Sequence, residues 1–509
     1  VIGRTRSIAL AGLDGYVIDV EAHMAASLPA FTIVGLPDAS LTEARDRVRA
    51  AVTSSGLPWP NRRVTVNLSP ASLPKTGSVT DLAIAVAVLA AAGLINRGAA
   101  TGSVLLGELG LDGRVRPVRG VLPAVAAAVR SGAPDIVVPA GNVDEARLVP
   151  GATVVGVATL ADLALRYGND KARASSTEVV LPVIHPRAEA ACIDLADVRG
   201  QEEPRWALEV AAAGGHHMLM VGPPGAGKTM LAARLPGILP DLAPEDAVLA
   251  TSVHSIAGIL DPAAGLLTRP PFEAPHHSAS AAAIVGGGSH LARPGAISRA
   301  HAGVLFLDEA PEFPASVLQT LRQPLESGEI VLHRAAGAAR YPARFQLVMA
   351  ANPCPCGGFA GTGEGCSCTP MARRRYFGRL SGPLLDRVDL HVDVRPVRRG
   401  MDDSGESSRA VAVRVARARE AARERFAGLG WRSNADAAPP WLRANTPRPV
   451  LAVGLRSLDR GMLSARGLDR ALRVSWTLAD LAGASSPGQE HFHQAMMLRT
   501  RASGPGAAA

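Results

Sequence analysis

The stretch that most constrains this chain is Met218-Leu219-Met220-Val221, followed by Gly222-Pro223-Pro224-Gly225-Ala226-Gly227-Lys228-Thr229 and an alanine- and leucine-rich segment. The apolar run reads as a buried parallel strand and the later segment as a helix. The G-x-x-x-x-G-K-[ST] spelling therefore sits at a strand-to-helix turn, where it forms a phosphate loop. Gly222, Gly225 and Gly227 let backbone N–H groups close around phosphates with no Cβ in the way, and the following helix turns its positive end toward them. Lys228 then reaches the outer phosphates and the Thr229 hydroxyl ligates Mg²⁺. The pattern predicts ATP and Mg²⁺ as cofactors, on an α/β fold whose parallel sheet is sandwiched by helices.

Two further apolar runs end in chemistry. Val304-Leu305-Phe306-Leu307 leads into Asp308-Glu309. There Asp308 would hold Mg²⁺ through water and Glu309 would act as general base on the hydrolytic water. Phe345–Ala351 ends in Asn352. Lys228 and Asp308 are 80 positions apart, more than the roughly 30 residues of one βαβ unit, so an insertion is expected between them. Its core carries His276, His277 and Arg293. A second insert, Glu329–Arg334 with Ala339–Gln346, reads as a hairpin with Arg334, Arg340 and Arg344 near its tip and His333 beside them. These histidines and arginines are candidates for salt-dependent, sequence-independent contact with a phosphate backbone such as that of DNA; capping loops or pairing across subunits is the plainer alternative.

The chain has five cysteines, which do not suggest a disulfide framework. Cys192 stands alone as a core thiol. Cys354, Cys356, Cys366 and Cys368 fall within fifteen positions and can converge on one structural Zn²⁺, the alternative being free or redox-active thiols. Net charge is +8 and the lysines are only Lys75, Lys171 and Lys228. The positive balance suits a polyanionic partner. No charge-free apolar window of membrane-spanning length occurs and no leader opens the chain, which predicts a cytoplasmic protein with no membrane partner.

At 509 residues several domains are expected. Residues 1–165 read as a separate α/β domain, with strands at Val17–Val20, Phe31–Val34, Val64–Leu68, Val104–Leu106 and Ile136–Val138, and helices at Thr42–Ser54, Val79–Ala92 and Pro123–Val129. Residues 166–190 are polar and aperiodic, a linker. An ATPase module follows over 191–396, then a helical lid over 397–501 with helices at Ser408–Phe426 and from Leu463 through Leu481. Residues 502–509 read as a disordered tail.

Pro74-Lys75-Thr76-Gly77-Ser78 and Gly107-Glu108-Leu109 with Gly113–Gly120 resemble the Lon-protease domain. On that pattern the nucleophilic serine falls on Val79 and the catalytic lysine on Leu122, so the resemblance implies an inactive relative. A shifted Ser78–Lys75 pair is the alternative.

Ala274-Pro275-His276-His277, Val304–Glu309 and Asn352-Pro353-Cys354-Pro355-Cys356-Gly357 resemble the magnesium-chelatase-like branch of the AAA+ ATPases. The order of Lon-like domain, ATPase module and helical lid narrows the resemblance to its YifB/ComM family. The resemblance implies a homo-hexameric ring and a DNA helicase that drives branch migration. It implies that Asn352 senses the γ-phosphate and that Arg387 is the arginine finger for the neighbouring subunit, with Arg379 and Arg395 as rivals. Arg466 is then the second sensor, gripping the γ-phosphate from the lid, with Arg470 as the alternative. Relatives usually have arginine where this chain has Trp476, which puts a polar role there in doubt. Alternatives are a remodelling ATPase whose first domain recruits protein partners, and a chelatase motor subunit.

Overall fold

The computed structural model describes residues 2–35, 39–70, 78–172, 179–182, 193–288, 293–334, 337–359, 365–396 and 405–499. Lys75, Cys192, most of the expected linker and the expected tail lie outside them.

The first part of the chain builds a seven-stranded mixed sheet, ordered Ala30–Val34, Arg63–Ser69, Asp14–Ala25, Ile2–Ala11, Ser103–Leu105, Asp135–Pro139 and Val154–Val157. Ile2–Ala11 and Asp14–Ala25 form a long antiparallel pair. Alternation of exposed and buried residues along Ile2–Ala11 turns one face to the core. The Asp81–Ala91 helix is buried at every position and, after Asp81, which Arg47 pairs with at 2.8 Å, apolar all round, as a helix at a domain's centre must be. Tyr167 and Ala172 are buried in this core, and the Asn169 side chain donates to the Leu94 carbonyl. Packing of the first part therefore extends past the expected boundary at 165.

Val79, where the Lon-like pattern puts a serine, lies in a short 3-10 turn. Leu122 is buried. Ser78 donates its hydroxyl proton to Glu108.

The second sheet is five-stranded and wholly parallel, in the order Phe272–Glu273, Val304–Leu307, Gln346–Ala351, Met218–Val221 and Leu390–Asp393. Its three central strands are buried at every residue, the pattern of a parallel sheet covered on both faces. The strand carrying the phosphate loop thus lies between the acidic strand's inner neighbour and the sheet edge. All three loops that carry chemistry leave the same end of the sheet, where ligands of open α/β sheets bind.

The two parts meet along the Pro244–Ala257 helix. Ser255 on that helix donates to the buried Glu145 carboxylate, which also accepts from the Leu122 backbone N–H at 3.0 Å and Asn142 at 3.2 Å. Burial pushes Glu145 above the usual carboxylate range. A second contact lies at Gly12, with φ +68°, where a Cβ would stand 2.1 Å from the Arg340 carbonyl oxygen. Only glycine allows the hairpin strand that close.

The C-terminal part is helical. Ala465–Leu481 packs on Glu202–Gly214 and Ser408–Arg425 through a continuous apolar cluster. Trp476 is buried beside Trp441, with ring centroids 5.4 Å apart, and its indole N–H donates to Thr446. The Arg425 guanidinium lies over its ring at 4.5 Å.

A buried network ties this helix to the sheet. Asp389 accepts from Arg470 at 2.6 Å and contacts His216 at 3.2 Å, and His216 reaches Thr477 at 2.7 Å. Burial alone would raise the Asp389 carboxyl, but Arg470 and His216 hold it well below the usual range. Because its folded-state value is depressed, its contribution is intact above about pH 4 and is lost only as pH falls further. Asp389→Ala strands a guanidinium in the interior and is expected to cost about 3–5 kcal/mol. A lowered denaturant midpoint for the second part of the chain, with the first part's transition unmoved, is the measurement.

Candidate ATP site

Phosphate-loop geometry follows from its glycines. Gly225 and Gly227 have φ of +76° and +93°, which non-glycine residues rarely adopt. A Cβ on Gly222 would lie 2.1 Å from the Val394 carbonyl oxygen. The loop is held from behind by buried Gln201, whose amide donates to the Ala226 carbonyl at 3.1 Å and the Arg395 carbonyl at 2.6 Å. Gln201 was not among the expected site residues; its sequence signal is only a polar residue opening the helix before the strand.

Lys228 is buried, and its ammonium donates to the carbonyls of Gly222 at 2.7 Å and Pro223 at 3.0 Å and to Asn352 Oδ1 at 3.1 Å. Burial lowers its pKa, against the pull of Asp308 and Glu309. Thr229 donates to Asp308 Oδ2 at 2.6 Å. The Glu309 backbone N–H donates to Asp308 Oδ1 at 2.9 Å. Lys228, Thr229, Asp308, Glu309 and Asn352 thus converge from three strand ends. Oxygen donors beside a lysine on a glycine-rich turn fit a magnesium nucleotide.

Glu309 has φ +51°, a strained conformation for a residue with a side chain, of the kind concentrated at functional sites. It points the carboxylate to His277, whose Nδ1 stands 3.2 Å from Oε2. His277, expected to face a nucleic acid, is thus engaged by the acidic strand's end, while His276 beside it is exposed. The His277 ring lies 4.2 Å from that of His276, tilted by 32°, and meets the Phe313 ring edge-on, and His276 bonds Ser278 at 2.7 Å. The strand Phe272–Glu273 ends just before this pair, so the sheet itself delivers them to the acidic strand's end.

Several basic residues also lie elsewhere than expected. Arg344 is at the hairpin's base, beyond the last strand pair Glu329–Pro342, with its backbone N–H on His301. Arg340 is paired with Val331, three steps back from the turn, and its guanidinium lies 3.6 Å from Glu329. His333 is exposed next to the turn; the Arg334 side chain lies outside the described residues. Arg293 is exposed on a two-residue strand near Arg119 of the first part.

Three family models match the chain: magnesium chelatase, subunit ChlI, over 194–401; subunit ChlI of Mg-chelatase over 20–142; and the ChlI C-terminal region over 405–499. An uncharacterized protein of Mycobacterium tuberculosis is 54% identical over 504 residues, 98% of each chain. Competence protein ComM of Haemophilus influenzae is 40% identical over 497 residues, 97% of this chain and 96% of the relative. YifB of Escherichia coli is 40% identical over 497 residues, 96% of each. The chain belongs to the YifB/ComM family of magnesium-chelatase-like AAA+ proteins.

Against that family pattern, neither expected arginine touches its own phosphate loop among the described contacts. Arg387 is paired with Glu326 and donates to the Pro383 carbonyl. Arg466 lies 3.5 Å from Asp386 and is largely exposed. Both line one cavity with Asp469, Arg470 and Arg473. Arg470, the alternative second sensor, is committed to Asp389. Of the rival fingers, Arg379 is held by Glu312 at 2.8 Å and the Pro311 carbonyl.

The four cysteine sulfurs lie within 4.8 Å of one another. No helix among the described residues is long and apolar enough to cross a membrane.

His277→Ala releases the Glu309 carboxylate from its partner without touching the phosphate loop. The expected outcome is a change of about 3- to 30-fold in kcat for nucleotide turnover with nucleotide affinity within about twofold. Equal changes in both would show that His277 acts through binding.

Proposed function

We propose that this chain is a Mg²⁺-dependent ATPase that works as a homo-hexameric motor on DNA, as a helicase or branch-migration factor. The supporting observation is the convergence of Lys228, Thr229, Asp308, Glu309 and Asn352. Bound Mg²⁺ would neutralise charge on the transferring phosphoryl group. Thr229 and Asp308 would hold it. Lys228, now satisfied by two loop carbonyls and Asn352, would exchange those partners for phosphate oxygens. Asn352 would remain beside it to orient the attacking water, and Glu309 would take that water's proton.

Arg387 and Arg466 share a cavity that none of these groups lines, which fits their acting on the ATP of the adjacent subunit. On this reading the second sensor works across the boundary, beside the finger. The name of the H. influenzae relative, a competence protein, favours DNA over a tetrapyrrole as the substrate class. We assign DNA contact to the exposed hairpin with His333, Arg334 and Arg340, and remove His276 and His277 from it. The first domain, with Val79 and Leu122 in place of nucleophile and base, is proposed to be proteolytically inactive and to position the hairpin. The four cysteines are proposed to hold Zn²⁺.

One assay decides the core of this reading: unwinding of forked DNA with ATP, alongside DNA-stimulated ATP turnover. Wild-type protein is expected to do both. Glu309→Gln is expected to bind ATP yet lose at least about a hundredfold in turnover. Paired Arg334→Ala and Arg340→Ala substitutions are expected to weaken DNA binding and flatten its log-salt slope by about 2. ATP turnover indifferent to DNA would overturn the motor assignment.

A further inference from the structure

The cysteine cluster is built into the ATP site's wall. Cys354, Cys356 and Cys366 have Sγ–Sγ distances of 3.3, 3.7 and 3.6 Å. Sulfurs tetrahedrally bound to zinc at about 2.3 Å stand about 3.8 Å apart, whereas a disulfide spans about 2.05 Å. The cluster has the metal-site spacing. Backbone N–H groups also point at the sulfurs: Cys368 at Cys366, Phe359 at Cys354, and Gly358 and Ser367 at Cys356. Such donors stabilise thiolate charge around a metal. Four cysteines leave no open position, so the site is structural.

What the cluster touches gives it a role. Cys354 follows Asn352 by two positions. Gly357, at φ +75°, lies so close to the phosphate loop that a Cβ would stand 2.6 Å from Pro224 Cδ. Just after Cys368, Thr369 caps the Pro370–Gly378 helix. That helix returns buried Tyr376 to the backbone of Asn352, and Arg379, just beyond its end, binds Glu312, three residues after Glu309. One knot of sulfur therefore borders the Asn352 strand end, the phosphate loop and the segment following Glu309.

We propose that these four thiols bind one Zn²⁺, each giving its proton to solvent as its S–Zn bond forms, and that the ion clamps Asn352 and Pro224 into hydrolytic register. Zinc is thus a positioning element for ATP turnover. This inference rests on the ATPase reading above.

The test uses the full-length chain. Elemental analysis after a mild chelator wash is expected to give one zinc per chain, and a content far below that overturns the site. Removing zinc with a strong chelator is expected to lower kcat at least about tenfold while nucleotide Kd moves less than about threefold, with recovery on adding ZnCl₂. Gly357→Val keeps all four ligands but pushes the loop off Pro224, so it decides the matter even where the stripped protein loses its fold. It is expected to retain one zinc and lose at least about fivefold in kcat. Unchanged kcat in that variant overturns the clamp. Failure of the zinc-loaded wild-type protein to turn over ATP would instead overturn the ATPase reading, leaving the zinc content as a separate result.

Discussion

The Lys228 ammonium is the interaction on which the site depends. A buried positive charge needs partners, and this one takes two carbonyls from its own loop and the amide oxygen of Asn352. Those bonds set the distance between the phosphate loop and the neighbouring strand end before any nucleotide binds. They also make Lys228 a switch in the ordinary chemical sense, since a phosphate competes for the same three N–H donors. The rest of the second sheet can be understood as the scaffold holding those ends level: parallel strands in register from Val304 to Asn352, buried on both faces.

That scaffold was largely legible in the sequence. Apolar runs of four to six residues, each ending in a glycine, an acid or an amide, can hardly be anything but buried strands feeding one edge. The first domain's expected strands and helices were readable for the same reason, alternation in Asp14–Ala25 and solid burial in Asp81–Ala91. The Ile2–Ala11 strand was not anticipated because its arginines and glycine break the apolar pattern. Its stability comes from ten pairings with a later strand, a tertiary fact.

What sequence could not show is which loops meet. His276 and His277 lie in a polar insertion, and polar insertions commonly contact ligands. Only the short Phe272–Glu273 strand, paired beside Val304 and Leu305, carries His277 to Glu309. Likewise hairpin register depends on where the turn falls. With Arg334 opposite Gly337, Arg344 drops out of the hairpin and Arg340 moves to its flank, against Gly12. Composition placed the arginines on the hairpin, but pairing decided which of them reach its end.

The C-terminal helices are tied to the second sheet beside the segment that carries Arg387. Asp389 lies two residues from Arg387 and binds Arg470, while Arg466 is one turn earlier on the same helix. The segment carrying Arg387 and the Ala465–Leu481 helix are therefore fastened by one buried ion pair and should move together. Charges in their shared cavity are unequal: four guanidinium groups face three carboxylates, and Asp469 is already engaged by Arg443 at 2.8 Å. Arg466, exposed and 3.5 Å from its acid, is the guanidinium most free to take another anion. A phosphate arriving from an adjoining subunit would meet it first, and the Asp389 pair would pass any displacement to the strand beside the phosphate loop, because Leu390–Asp393 pairs directly with Met218–Val221. Were copies of this chain to pack in a ring, each site's occupancy would bear on the next through this one strand.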